Sequence, residues 1–197
     1  MAVETRTNLF TSNKYLIRKK VLKLAGGVFH IYEPDGRLAF YSKQKAFKLK
    51  EDIRVFTDES MATEALTITA RKILDFSAAY DVVDSMTGEK VGALKRKGFK
   101  SMLRDEWVIM DASDNEIGSI QEDSMFLALL RRFLSNLIPQ TYAGSIDGKE
   151  VCLFRQNFNP FVTKINVDFT ADTGNLLDRR LGMAASILLC AIEGKQG

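Results

Sequence analysis

Ten lysines and arginines fall between residues 14 and 50 against two acids, Glu33 and Asp35, a local charge of +8 in a chain whose net charge is +3. Cations at this density attract anions: phosphate groups at a membrane or a nucleic acid backbone. One group is Arg18, Lys19 and Lys20 with Lys23, and a second is Lys43, Lys45, Lys48 and Lys50. A third is Lys95, Arg96 and Lys97 with Lys100. Strand alternation puts Lys43 and Lys45 on one face with Phe47 and Leu49, and Lys48 and Lys50 on the other. If chain closure gathers the groups on one wall, Arg18, Lys20, Lys43, Lys45, Lys48, Lys50, Lys95 and Lys97 form a site for anionic headgroups. Each lysine near an anionic bilayer then contributes about 1 kcal/mol. The competing reading is a solvated surface whose lysines keep the chain soluble. Nucleic acid is a weaker partner, because no helix-turn-helix or RNA-recognition signature accompanies the charge.

Other chemistries find less support. Asp111, Ser113, Asn115, Ile117, Ser119 and Glu122 have the ligand spacing of an EF-hand loop, but Glu116 stands where its glycine is required, and strand-like runs flank it. A hairpin turn explains that segment better. The one histidine, His30, sits in an alternating strand pattern, and neither Cys152 nor Cys190 has an activated, exposed context, so no nucleophilic triad assembles. Metal centres of His and Cys fail on number, and no P-loop or dinucleotide fingerprint is present. The expectation is a non-enzymatic chain with no cofactor.

The elements that would position these cations are mostly hairpins. Residues 28–32 and 37–41 flank a turn in which Pro34 presets φ and Gly36 tolerates positive φ. The same grammar recurs for 79–83 with 90–94, 107–110 with 117–120, and 142–146 with 150–154. Further strands are expected at 15–24, 46–50, 53–57, 65–73 and 161–169, together about a dozen, enough to close a barrel and remove its edges. Two helices break the pattern. Residues 124–138, capped by Asp123 or Ser124 and stopped by Pro139, are amphipathic and suit packing against the barrel wall or across its mouth. Residues 181–192 carry no charge at all, and a helix without a polar face has to be buried. At about 1.5 Å per residue they reach only ~18 Å, short of a ~30 Å hydrocarbon core. Gly182, Ala184, Ala185, Ser186 and Ala191 keep this helix narrow, so it suits the inside of a barrel.

The apolar fraction of 46% and charged fraction of 27% are those of an ordinary globular domain. Residues 1–13 are expected to be a tail, and 14–197 one domain. The opening residues lack the features of a secretory signal, and the expected address is cytoplasmic.

The hairpin order, Tyr15 to Lys19, residues 28–36 with their Glu-Pro-Asp-Gly turn, residues 82–89 and the apolar stretch 181–192 resemble the tubby C-terminal-like superfamily. Within it the chain is most similar to the branch holding the LURP-one-related proteins and the phospholipid scramblases. The resemblance implies a closed antiparallel barrel of about twelve strands around a central C-terminal helix. For function it implies phosphoinositide binding, as in tubby proteins, or calcium-stimulated lipid movement, as in scramblases. The acidic segment before the scramblase terminal helix has Asp168, Asp172 and Asp178 in the similar place here, but Gly174 and Arg179 depart from EF-hand spacing, and calcium is not expected. The leading expectation is a module that docks peripherally on anionic phospholipid at the inner membrane surface. A protein-interaction domain is the alternative. Lipid translocation comes third, because the apolar helix is too short to span.

Overall fold

The computed structural model describes residues 9–22, 26–44, 52–71, 79–97, 106–122, 140–157 and 162–192. Twelve strands run in chain order: β1 (Lys14–Leu22), β2 (Gly26–Tyr32), β3 (Leu38–Gln44), β4 (Ile53–Phe56), β5 (Glu64–Ala70), β6 (Ala79–Asp84), β7 (Lys90–Arg96), β8 (Glu106–Met110), β9 (Glu116–Glu122), β10 (Thr141–Ile146), β11 (Lys149–Asn157) and β12 (Val162–Asp168). A helix, α1 (Arg179–Ile192), follows them. Each strand pairs antiparallel with its neighbour in sequence, and β1 closes the barrel against β12 with Lys14 opposite Asp168 and Lys20 opposite Val162. The expected strand at 46–50 and the expected helix at 124–138 lie outside the described residues.

Five hairpins bring their turns to one end of the barrel, and each carries a register shift beside its turn: at Ile31/Tyr32, Val55/Phe56, Val82/Val83, Ile109/Met110 and Gly144/Ser145. Bulges at a barrel rim bend and coil the strands, which closure requires. Aspartates set the turns. Asp84 Oδ1 accepts from the Met86 amide at 2.9 Å, and Asp111 Oδ1 accepts from the Ser113 and Asn115 amides at 2.8 and 2.9 Å. The calcium-like spacing at 111–122 is thus a hairpin whose first aspartate is spent on backbone donors.

Inward positions of the strands and α1 from Leu181 to Ala191 form one core. Ile17, Phe29, Phe40, Leu66, Leu94, Ile109, Phe154 and Phe169 surround Met183, Ala184, Ile187, Leu188 and Cys190, all fully or almost fully buried. The fit is narrow at the entry of α1, where a Cβ on Gly182 would lie 2.6 Å from Cε1 of the buried Phe169 ring. Residues 9–13, expected as part of a tail, lie against the barrel. Phe10 stacks on Phe40 with ring centroids 4.5 Å apart, and the Phe169 amide donates to Asn13 O.

Because no side of α1 from Leu181 to Ala191 faces water, a charge placed there has nowhere to go. Ala185→Asp and Leu188→Asp are each expected to cost more than about 3 kcal/mol and to abolish the cooperative thermal transition followed by circular dichroism.

Candidate functional site

Register decides which of the basic residues meet. Reading across the outer face from β3 to β11, one row is Tyr41, His30, Arg18, Lys164 and Asn157. The neighbouring row is Lys43, Val28, Lys20 and Val162. Arg18, Lys20 and Lys43 are exposed, Lys164 is half-buried, and Arg155 is exposed one row further on, opposite Asn166. None of these five cations is in an ion pair with another described residue. Arg18 lays its guanidinium over the Tyr32 ring at 5.1 Å. Tyr32 in turn stacks on His30, centroids 6.1 Å apart at 16°, and Tyr41 meets His30 edge-on at 5.3 Å. The acids at the near turn are held by their own arginine, Arg37 pairing with Glu33 and Asp35. Lys14 takes Asp168 at 3.2 Å. The result is a wall of aromatic rings and cations in which Arg18, Lys20, Lys43, Lys164 and Arg155 have no acid partner among the described residues.

The third basic group is not part of it. β7 stands six strands from β1 in either direction around the barrel, so Lys95 and Lys97 face away from Arg18 and Lys20. Closure therefore divides the groups instead of gathering them. Lys97 is paired with Glu106 at 2.6 Å, and Lys95 is half-buried opposite Val108. Nearby, Arg71 forks onto Asp81 at 2.6 and 2.9 Å, while Lys90 bridges Asp81 and Asp114 at 3.3 and 2.8 Å. The hydrogen bonds from Arg71 hold the Asp81 carboxyl below its ordinary range, and those from Lys90 and Arg71 do the same for Asp114. On that wall Arg71, Lys90 and Lys97 are all paired with acids. Lys45, Lys48, Lys50, Lys23 and Lys100 lie outside the described residues.

Lys19, between two exposed cations in sequence, points the other way. It is 4% exposed, and its ammonium donates to Cys190 O at 2.8 Å and Ala191 O at 3.4 Å, the carbonyls that end α1, while passing 5.5 Å from the Phe29 ring centre. Helix C-termini carry partial negative charge and orphan carbonyls, and α1 has no basic residue of its own in its last turn. Alternation along β1 makes Lys19 an internal cap and leaves Arg18 and Lys20 outside. Lys19→Met, which keeps length and loses the donor, is expected to lower stability by about 1–3 kcal/mol in denaturant unfolding.

The three aspartates with a scramblase-like position all have structural partners. Asp178 is the N-cap of α1, its Oδ1 accepting from the Arg180 amide at 2.9 Å. Asp168 accepts from the Thr170 amide at 2.9 Å and pairs with Lys14. Asp172, 5% exposed, accepts from the Leu176 and Leu177 amides at 2.8 and 3.1 Å and from Arg179 at 2.7 Å. These are donors crowding a carboxylate, not oxygens converging on a cation. No group of three potential metal ligands occurs among the described residues. Burial of Asp172 pushes its carboxyl up, but the two amides and Arg179 outweigh it and hold the carboxyl below its ordinary 3.8. A depressed folded value stabilises the fold above the ordinary value and is lost as pH falls through the depressed one. Asp172→Asn should therefore melt lower at neutral pH, by about 1–3 kcal/mol, with the gap closing in melts taken progressively below pH ~4.

Burial pushes the thiols of Cys152 and Cys190 up to about 12, which makes them poor nucleophiles. His30 has Glu59 at 2.9 Å and two tyrosine rings as its neighbours. Lys164, Arg155 and Glu59 were not recoverable as site residues from the chain alone, because each joins the wall only through strand pairing or a turn.

The fold is a closed antiparallel barrel of twelve strands threaded by one apolar helix near the end of the described residues, with unpaired cations gathered on the wall of β12, β1, β2 and β3. A family model described as LURP-one-related matches residues 39–188, and the chain belongs to that family, a branch of the tubby-like superfamily. No curated protein and no solved structure matches the chain.

Proposed function

We propose that this chain is a non-enzymatic module that docks peripherally on anionic phospholipid, at the cytoplasmic face of a membrane, through the wall formed by β12, β1, β2 and β3. The observation that carries the reading is the set Arg18, Lys20, Lys43 and Lys164. These four cations lie on neighbouring strands without a carboxylate partner among the described residues, whereas the far wall pairs Arg71, Lys90 and Lys97 with acids. Placing like charges side by side without acids costs stability, and an anionic surface offsets that cost. Tyr32, Tyr41 and His30 suit the same partner, since amphipathic rings favour the headgroup level of a bilayer. Among the described residues no helix is long and apolar enough to cross a membrane. α1 is core in this reading, not anchor.

The test is co-sedimentation with neutral and anionic vesicles at low and high salt. Wild type should bind anionic vesicles only and release them in salt. Reversing Arg18, Lys20, Lys43 and Lys164 to Glu should abolish binding, while Lys95→Glu with Lys97→Glu should leave it within about twofold. Indifference to lipid charge, or equal loss in both variants, would leave a protein-interaction domain as the better account.

A further inference from the structure

The centre of the basic wall already holds one anion, and it belongs to the protein. Glu59 Oε1 lies 2.9 Å from His30 Nε2. His30 faces Arg18 on one side and Tyr41 on the other, with the Tyr32 ring stacked beside it and the Arg18 guanidinium over that ring. Lys20 and Lys43 occupy the next row on β1 and β3. The imidazole is largely covered, its side chain 14% exposed, while Glu59 is 63% exposed. Glu59 belongs to the β4–β5 turn, whose shape is fixed by other groups. The Thr57 amide donates to Thr63 O at 3.0 Å, Asp58 Oδ1 accepts from the Ser60 amide at 2.7 Å, and Met61 sits at φ 58°. The Glu59 side chain can therefore leave His30 without disturbing the turn or the barrel.

We propose that the niche between His30, Arg18 and the Tyr32 ring is the point at which a lipid phosphate group binds, and that Glu59 occupies it as an internal competitor displaced on docking. This rests on the docking reading above and adds the location and the competition. A phosphate oxygen takes the place of the Glu59 carboxylate at His30 Nε2, and its remaining oxygens face Arg18, whose planar fork matches them. Releasing one exposed carboxylate held by a single contact is worth a modest factor, so its removal should tighten binding by roughly two- to tenfold.

The experiment compares wild type, Glu59→Gln and Glu116→Gln for binding to phosphatidylcholine vesicles with and without phosphatidylserine. Glu116 is exposed on β9 and removes the same charge far from the wall. His30 is the only histidine, so its imidazole signals report the niche directly in NMR. They are followed on adding nanodiscs of the same two lipid compositions and, separately, inorganic phosphate. The expected result is tighter anionic binding by Glu59→Gln alone, with His30 signals that move with anionic nanodiscs and stay put with neutral ones. Equal affinity of Glu59→Gln and wild type, or the same gain in Glu116→Gln, overturns the competition and leaves docking intact. A wild type that ignores anionic vesicles overturns docking itself. His30 signals that then answer to inorganic phosphate alone overturn the lipid as source, and silent signals overturn the niche.

Discussion

A helix without a polar side can exist in water only if something encloses it completely, and the rest of this molecule follows from that constraint. Enclosure on all sides takes a closed sheet, and twelve strands give a lumen wide enough for a narrow helix. The two ends of α1 are then the hard part, because each leaves backbone groups without partners inside a low-polarity space. At one end Lys19 reaches inward from β1 to the last carbonyls. At the other, Asp178 caps the amides, and the clamps Arg179 to Asp172 and Arg180 to Asp84, Glu89 and Asp178 tie the helix to the rim. Two arginines at a helix N-terminus oppose the macrodipole, and these carboxylates compensate them.

The same closure sorts the surface. In antiparallel strands residues alternate between lumen and solvent, so a run of three basic residues on β1 becomes one internal cap and two external cations. Neighbouring strands then add His30, Lys43, Lys164 and Arg155 to that face, while the acids of the chain's middle meet Arg71, Lys90 and Lys97 across the barrel. The electrical polarity along the sequence becomes a polarity across the barrel. It is an outcome of strand order, independent of what the wall binds.

The hairpins were legible because each announces itself locally: an alternating run, an aspartate that takes backbone amides, a glycine able to adopt positive φ, and a returning run. The central helix was legible because twelve uncharged residues inside a charged chain admit one placement. The site was legible only in part. Arg18, Lys20 and Lys43 stood out by clustering, but clustering also nominated Lys95 and Lys97, and nothing in their residue types tells that five strands intervene. Register and closure are properties of pairs distant in sequence. For the same reason Lys164 and the Glu59 contact with His30 stayed hidden, and the inward turn of Lys19 needed the phase of β1 to be fixed first.

The pairing of β1 with β12 also says something about the order in which the chain can become itself. The seam joins residues 14–20 to 162–168, and the core that makes the barrel stable arrives later still, with α1. Until then any growing sheet has two open edges and a face of Ile, Phe and Leu with nothing to cover it. Long-range closure of this kind is slow, since the entropy of bringing distant segments together is spent before the contacts reward it. On a ribosome the early hairpins would wait, half assembled, for β12 and α1 to emerge. The molecule is therefore one whose exposure to chaperones and to aggregation lasts until β12 and α1 have joined it.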